Sequence, residues 1–274
     1  MSVLICGSLA FDTITNFPGR FAQQIMPDKV HMLNVSFLVP TMRREYGGCA
    51  GNIAYSLQLL GGQPLVMAAL GNDGGDYLMR LQDWGLDTSQ VLRAGDTYTA
   101  QCMIITDEDN NQITAFHPGA MMRSYENHVK DVPGVTFGIV SPDGREGMLQ
   151  NSREFAESGI PFIFDPGQGL PMFNGNELLQ CLQLADYCAV NDYEARLLCE
   201  RTGRSIESLA GEVSALIVTL GGKGSEIHTG GRKLDIPCAT PTALEDPTGC
   251  GDAYRAGLLY AIEHGMDWEQ TRSE

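Results

Sequence analysis

Val3-Leu4-Ile5-Cys6-Gly7 is an unbroken apolar run that stops at a glycine, the mark of a buried strand. Leu65-Val66-Met67-Ala68-Ala69-Leu70 repeats it. Between them, from Asn52, the residues Ile53, Leu57 and Leu60 recur at helical spacing and stop at Gly61-Gly62, a glycine helix end. A helical stretch from Tyr77 to Trp84 follows, and strands are expected again at 137–140, 161–165, 187–191 and 215–220, with helical intervals between them. Such alternation predicts an α/β fold: a doubly wound, mostly parallel central sheet with helices on both faces.

Two stretches break the alternation. Residues 13–41 lack a helical period and carry Pro18, Pro27 and Pro40, and His31-Met32-Leu33-Asn34-Val35-Ser36-Phe37 alternates imperfectly. Further on, Gln101–Thr106 and Gln112–Phe116 flank the turn-forming Asp107-Glu108-Asp109-Asn110-Asn111, a hairpin pattern. The expectation is one domain over residues 1–274, with a small β lid built from about 13–41 and 97–118.

The 274 residues include 34 acidic and 18 basic side chains, a net charge of −16 that repels phosphate backbones and anionic lipid surfaces. Neither a nucleic-acid nor a membrane partner is expected. No apolar run approaches the ~20 residues of a bilayer span, and the amino terminus lacks the order of a signal peptide. A cytoplasmic protein is expected. Eight cysteines form no Cys-x-x-Cys pair, so reduced, mostly buried thiols are expected. The oligomeric state stays open, a homodimer being one expectation.

Ligands of an open α/β sheet gather beyond the carboxyl ends of its strands, and four motifs fall in such places. In Thr248-Gly249-Cys250-Gly251-Asp252, which opens a plausible helix, two glycines permit a tight turn and free amides can face an anion. Asp252 is then placed to take the proton of an attacking hydroxyl while phosphoryl charge is stabilised beside it, or it only complements the helix dipole. Tyr46-Gly47-Gly48-Cys49-Ala50-Gly51-Asn52 lets a ligand approach the backbone, and Asn52 either meets hydroxyl groups or caps the helix. Asp12 follows the first strand and either grips vicinal hydroxyls or forms a turn. Asn191-Asp192-Tyr193-Glu194 either holds hydrated Mg²⁺ and donor phosphates or caps a helix with acids in its first turn.

Together and in this order, Gly7-Ser8-Leu9-Ala10-Phe11-Asp12, Gly47-Gly48…Asn52, Asn191…Glu194 and Asp246-Pro247-Thr248-Gly249-Cys250-Gly251-Asp252 resemble the ribokinase or PfkB family of carbohydrate and nucleoside kinases. The resemblance implies Asp252 as catalytic base, an anion hole of the Gly249, Cys250 and Gly251 amides, and Asp12, Gly48 and Asn52 at the sugar hydroxyls. It implies Asn191 and Glu194 at Mg²⁺ and phosphate, Thr219 and Gly221 at the ATP site, and Asp246 and Thr248 at a K⁺ position used by potassium-activated members. Family members continue past the helix of the catalytic aspartate, so the carboxyl-terminal part of the family fold is expected to be absent.

Ala10 and Cys49 stand where ribokinases proper carry polar groups for free ribose, which disfavours ribose. The segments 27–46 and 110–122 look like those of bacterial nucleoside kinases. Phe37, Phe116 and Met121 either cover a base or fill the lid's own core, and Gln168 is placed to read a purine edge. The expected reaction is ATP-dependent phosphorylation of the 5′-hydroxyl of adenosine or inosine, as in adenosine kinases. A sugar kinase for ribose or fructose and a non-catalytic nucleoside-binding module are the alternatives. A dinucleotide dehydrogenase lacks its glycine fingerprint here.

Overall fold

The computed structural model describes residues 2–25, 32, 34–241 and 248–268. In chain order its first half contains β1 (Ser2–Cys6), β2 (Ala10–Asn16), α1 (Phe21–Gln24), β3 (Thr41–Gly47), α2 (Cys49–Leu59), β4 (Pro64–Gly71), α3 (Gly75–Asp83), β5 (Val91–Ala94), β6 (Ala100–Thr106) and β7 (Gln112–His117). The second half contains β8 (Val135–Val140), α4 (Arg145–Glu157), β9 (Phe162–Phe164), α5 (Gly175–Leu184), β10 (Tyr187–Asn191), α6 (Asp192–Thr202), α7 (Ile206–Ala210), β11 (Ala215–Thr219), β12 (Ser225–Thr229), β13 (Arg232–Ile236) and α8 (Cys250–Glu263).

Among the described residues one sheet has nine strands in the order β13-β12-β11-β10-β9-β8-β1-β4-β5. The strands from β11 to β5 pair in parallel, and β12 and β13 add an antiparallel edge. Side chains alternate across a strand, and here that alternation separates two cores. Val3 and Ile5 of β1 pack with α2, α3 and α8, whereas Leu4 and Cys6 pack with α4, α5, α6 and α7. Continuous apolar runs such as β1 are therefore buried on both faces, and each fully buried Leu, Ile or Phe contributes about 1.5–3 kcal/mol. Because the parallel strands share a direction, their carboxyl ends open along one edge.

A second sheet, in the order β3-β2-β6-β7, is entered from the carboxyl end of β1, since β2 begins four residues beyond it. Its strand β3 lies almost wholly beyond the 13–41 stretch expected for the lid: residues 34–39 have no regular structure, and 31 and 33 lie outside the described residues. Thr41–Glu45 are exposed and mostly polar, which hides the strand from an apolar pattern. Strands β5, β12 and β13 were also not expected. In the β12–β13 hairpin both linking glycines, Gly230 and Gly231, have positive φ (55° and 70°), the twist that a two-residue hairpin loop requires. Among the described residues no helix is long and apolar enough to cross a membrane. All eight cysteines are free thiols, three buried and three half-buried.

Candidate active site

Ser8, two residues beyond the end of β1, anchors the glycine turn that opens α2. Its carbonyl accepts from the Ala50 N–H at 3.0 Å and its hydroxyl from the Cys49 N–H at 3.4 Å. Gly48, the residue before α2, has φ 93°, and a Cβ there would lie 2.5 Å from the Ser8 carbonyl oxygen. A glycine is the residue that fits both demands. One turn into α2, Asn52 points across to α8, where its Nδ2 donates to Asp252 Oδ2 at 2.8 Å. The two residues are 200 apart in sequence, and the packing of α2 on α8 joins them.

Asp252 lies in the first turn of α8, where the helix dipole favours an anion. Gly249, the residue before the helix, is left-handed with φ 80° and offers no side chain to the first-turn amides. Gly251, Cys250 and Thr248 are exposed, so this helix start opens outward as an anion-binding turn does. Burial pushes the Asp252 carboxyl above the usual carboxylate range, opposed by the Asn52 donor. The Cys49 thiol beside it is raised well above its ordinary range, first by burial and then by Asp252, and stays protonated.

Asp12 sits on β2 opposite Glu45 of β3 and Cys102 of β6, and Cys102 in turn faces Phe116 of β7. Residues paired across strands share a sheet face, so Asp12 and Phe116 lie on one side of the small sheet. Burial and then the Glu45 carboxylate raise the Asp12 carboxyl. The buried Tyr77 hydroxyl donates to the Gly47 carbonyl at 2.7 Å, and its own titration is pushed up by burial, then by Asp12, and also by Asp252. Both carboxylates thus lie within electrostatic reach of one phenol.

On the other side, Asn191 ends β10 in register with Thr219 at the end of β11. Asn191 and Glu194 form a reciprocal capping box: Asn191 Oδ1 accepts from the Glu194 N–H at 2.8 Å and Glu194 Oε2 from the Asn191 N–H at 2.7 Å. Glu194 is raised by burial, eased by the Asn191 amide. Gly221 follows β11 with φ 58°. Among the described residues no group of three His, Cys, Asp or Glu side chains could hold a metal on its own. Glu194, with one oxygen turned from its cap, fits the single carboxylate that a hydrated Mg²⁺ on nucleotide phosphates requires.

Sequence reasoning missed two residues. Arg255 of α8 is buried and forks onto Asp165, with Nε 2.9 Å from Oδ2 and Nη2 3.2 Å from Oδ1. A charge inside the apolar run Ala253–Leu259 was the available clue. Of the apolar candidates, Phe37 packs edge-on against Phe17 and Phe21 at 5.0 Å each, filling a small core of its own. Met121 is buried with Ala10 and Ala100. Phe116 is half exposed, and Gln168, three residues beyond Asp165, is exposed. Asp246 lies outside the described residues.

Residues 17–271 match the family described as pfkB family carbohydrate kinase. The nucleoside kinase of Methanocaldococcus jannaschii is 32% identical over 239 residues, 86% of this chain and 78% of that protein. The structure of Burkholderia thailandensis nucleoside kinase in complex with inosine superimposes with a TM-score of 0.88 at 53% identity, covering 99% of this chain and 87% of that one. Its complex with ADP-inosine gives 0.85 at 54% identity, covering 99% and 85%.

Proposed function

This chain belongs to the pfkB family of carbohydrate kinases and is a phosphotransferase with an alcohol acceptor; from that premise we propose that it transfers the γ-phosphoryl group of ATP to the 5′-hydroxyl of a purine nucleoside, inosine or adenosine. The observation that carries the reading is the Asn52–Asp252 contact at 2.8 Å, because it sets a candidate base beside a hydroxyl-binding amide at an open helix start. The similarity to a nucleoside kinase in complex with inosine supports the acceptor class.

In this reading Asp252 takes the 5′-hydroxyl proton as the oxygen attacks the γ-phosphorus and ADP leaves. The amides of Gly249, Cys250 and Gly251 meet the charge on the phosphoryl oxygens. Asp12 and Asn52 hold the ribose hydroxyls over the close backbone of Gly48. Phe116 and Gln168 address the base, and the small sheet closes over the acceptor to exclude water. Thr219 and Gly221 line the nucleotide side. Bound Mg²⁺ would neutralise donor phosphate charge, with Glu194 as the residue that meets it and Asn191 fixing Glu194 through the cap. K⁺ at Thr248 and Asp246 is part of the same reading, as is a place in the cytoplasm.

The test is nucleoside-dependent ADP formation by the protein and by Asp252→Asn. The substitution is expected to lower kcat by about 10²–10⁴, the usual worth of a general base. A variant that keeps most of the activity removes Asp252 from the mechanism. Turnover of ribose or fructose above that of every nucleoside removes the nucleoside.

A further inference from the structure

Arg255 is one helical turn beyond Asp252 on α8, and its guanidinium reaches three other places. It makes the two-pronged contact with Asp165, just past the end of β9. Its Nη2 lies 3.8 Å from Glu194 Oε2, in the turn that follows β10, and its Nη1 donates a long 3.5 Å hydrogen bond to the Gly251 carbonyl. β9 and β10 are neighbours in the sheet. The Arg255 and Asp165 side chains are 7% and 5% exposed. Taking such a pair out of water is unfavourable, and apolar side chains would hold a helix on a sheet at least as well. A charged fork in that position therefore calls for an account that packing does not give.

We propose that Arg255 is a positioning residue for phosphoryl transfer, bracing α8 against the β9 and β10 turns so that Asp252 keeps its place between acceptor and donor. The fork is planar and two-pronged, so it fixes orientation as well as distance. Being buried, Arg255 touches neither substrate in the proposed reading. It acts through Asp252, through the Gly251 end of the anion turn, and through Glu194.

The groups that face Asp252 give this a distinctive readout. They are Asn52 and Cys49 from α2, the Tyr77 phenol from α3, Asp165 from beyond β9, and Arg255 from its own helix. Asp165 pushes the Asp252 carboxyl up and Arg255 holds it down. Asp165→Asn and Arg255→Gln are therefore expected to shift the acid limb of the rate profile in opposite directions, which a purely structural role would not produce.

The inference rests on Asp252 being the base, and the experiment keeps the two apart. Inosine-dependent ADP formation is measured against pH for the protein, Asp165→Asn, Arg255→Gln, Arg255→Lys and the double variant Asp165→Asn/Arg255→Gln. Arg255→Gln is expected to lower kcat at least tenfold and to move the acid limb to higher pH, and Asp165→Asn to move it lower. Arg255→Lys should keep the limb in place while recovering part of the rate. The double variant, which removes both members of the fork together, should fold with the parent's thermal midpoint within a few degrees and remain at least tenfold slow. If Arg255→Gln does not fold, the double variant and Arg255→Lys decide by the same measures. A folded double variant with kcat within twofold of the parent overturns the proposal. A parent without nucleoside turnover, or an active Asp252→Asn, overturns the functional reading instead.

Discussion

Asp252 is held between two opposing influences: burial raises its carboxyl, and the Asn52 amide at 2.8 Å draws it back. A base works only in its ionised form, so anything that raises its pKa shrinks the active fraction at a given pH. Asn52→Leu removes the donor and leaves the burial, and the acid limb of kcat/KM is expected to move to higher pH. A hydrogen bond to a charged group is worth about 1.5–3 kcal/mol, so kcat/KM at neutral pH should fall about 10–100-fold, part of it through acceptor binding. An unmoved limb in the pH profile would mean that the contact does not tune the base. Asp252 and Asn52 stand out in the sequence as candidates because each sits in a glycine turn opening a helix. Asp165 and Arg255 do not, since a contact between residues 90 apart leaves no spacing in the chain. Of Arg255 the sequence showed only a charge among apolar neighbours.

The capping box of α6 joins helix stability to the proposed donor site through the same two residues. Asn191 and Glu194 satisfy each other's backbone, which accounts for both residues without any ligand. Asn191→Ala is expected to lose about 1 kcal/mol of stability in urea unfolding, the usual worth of a cap. Asn191→Ser retains a capping oxygen and should keep the stability. If Asn191 also serves the donor site, the Ser variant will show a raised KM for ATP at unchanged stability. Parent-like kinetics in that variant would assign Asn191 to the helix alone. Legibility followed burial in the same way: β1, β4, β10 and β11 are continuous apolar runs buried on both faces, and all were expected. β3 and β13 lie at sheet edges with mainly exposed residues, so no apolar period marks them.

Across the whole molecule, burial raises several carboxyls at once, among them Asp12, Glu194 and Asp252 near the candidate site, and each makes the fold less favourable once ionised. The largest of these strains lies elsewhere, at Asp143 just beyond β8. Its side chain is almost fully buried; Oδ1 accepts from the Gly144 N–H at 2.9 Å, while Oδ2 and the nearby Ser124 hydroxyl have no well-aligned partner among the described residues. Burial pushes this carboxyl up to about 7, against the easing effect of Gly144 and Ser124. In the unfolded chain it would titrate near the ordinary value of about 3.9. Between those two values the folded protein holds a proton that the unfolded chain has released, so stability falls as pH rises through the window and levels off above it. Three pH units at about 1.4 kcal/mol each set a ceiling, and a loss of about 2–4 kcal/mol is expected. Asp143→Asn keeps the oxygen that accepts from Gly144 and cannot ionise. It should match the parent in urea unfolding near pH 4.5 and exceed it by about 2–4 kcal/mol at pH 8. Parallel curves for the two proteins across that range would show that Asp143 is already ionised in the fold and that its second oxygen has found a partner.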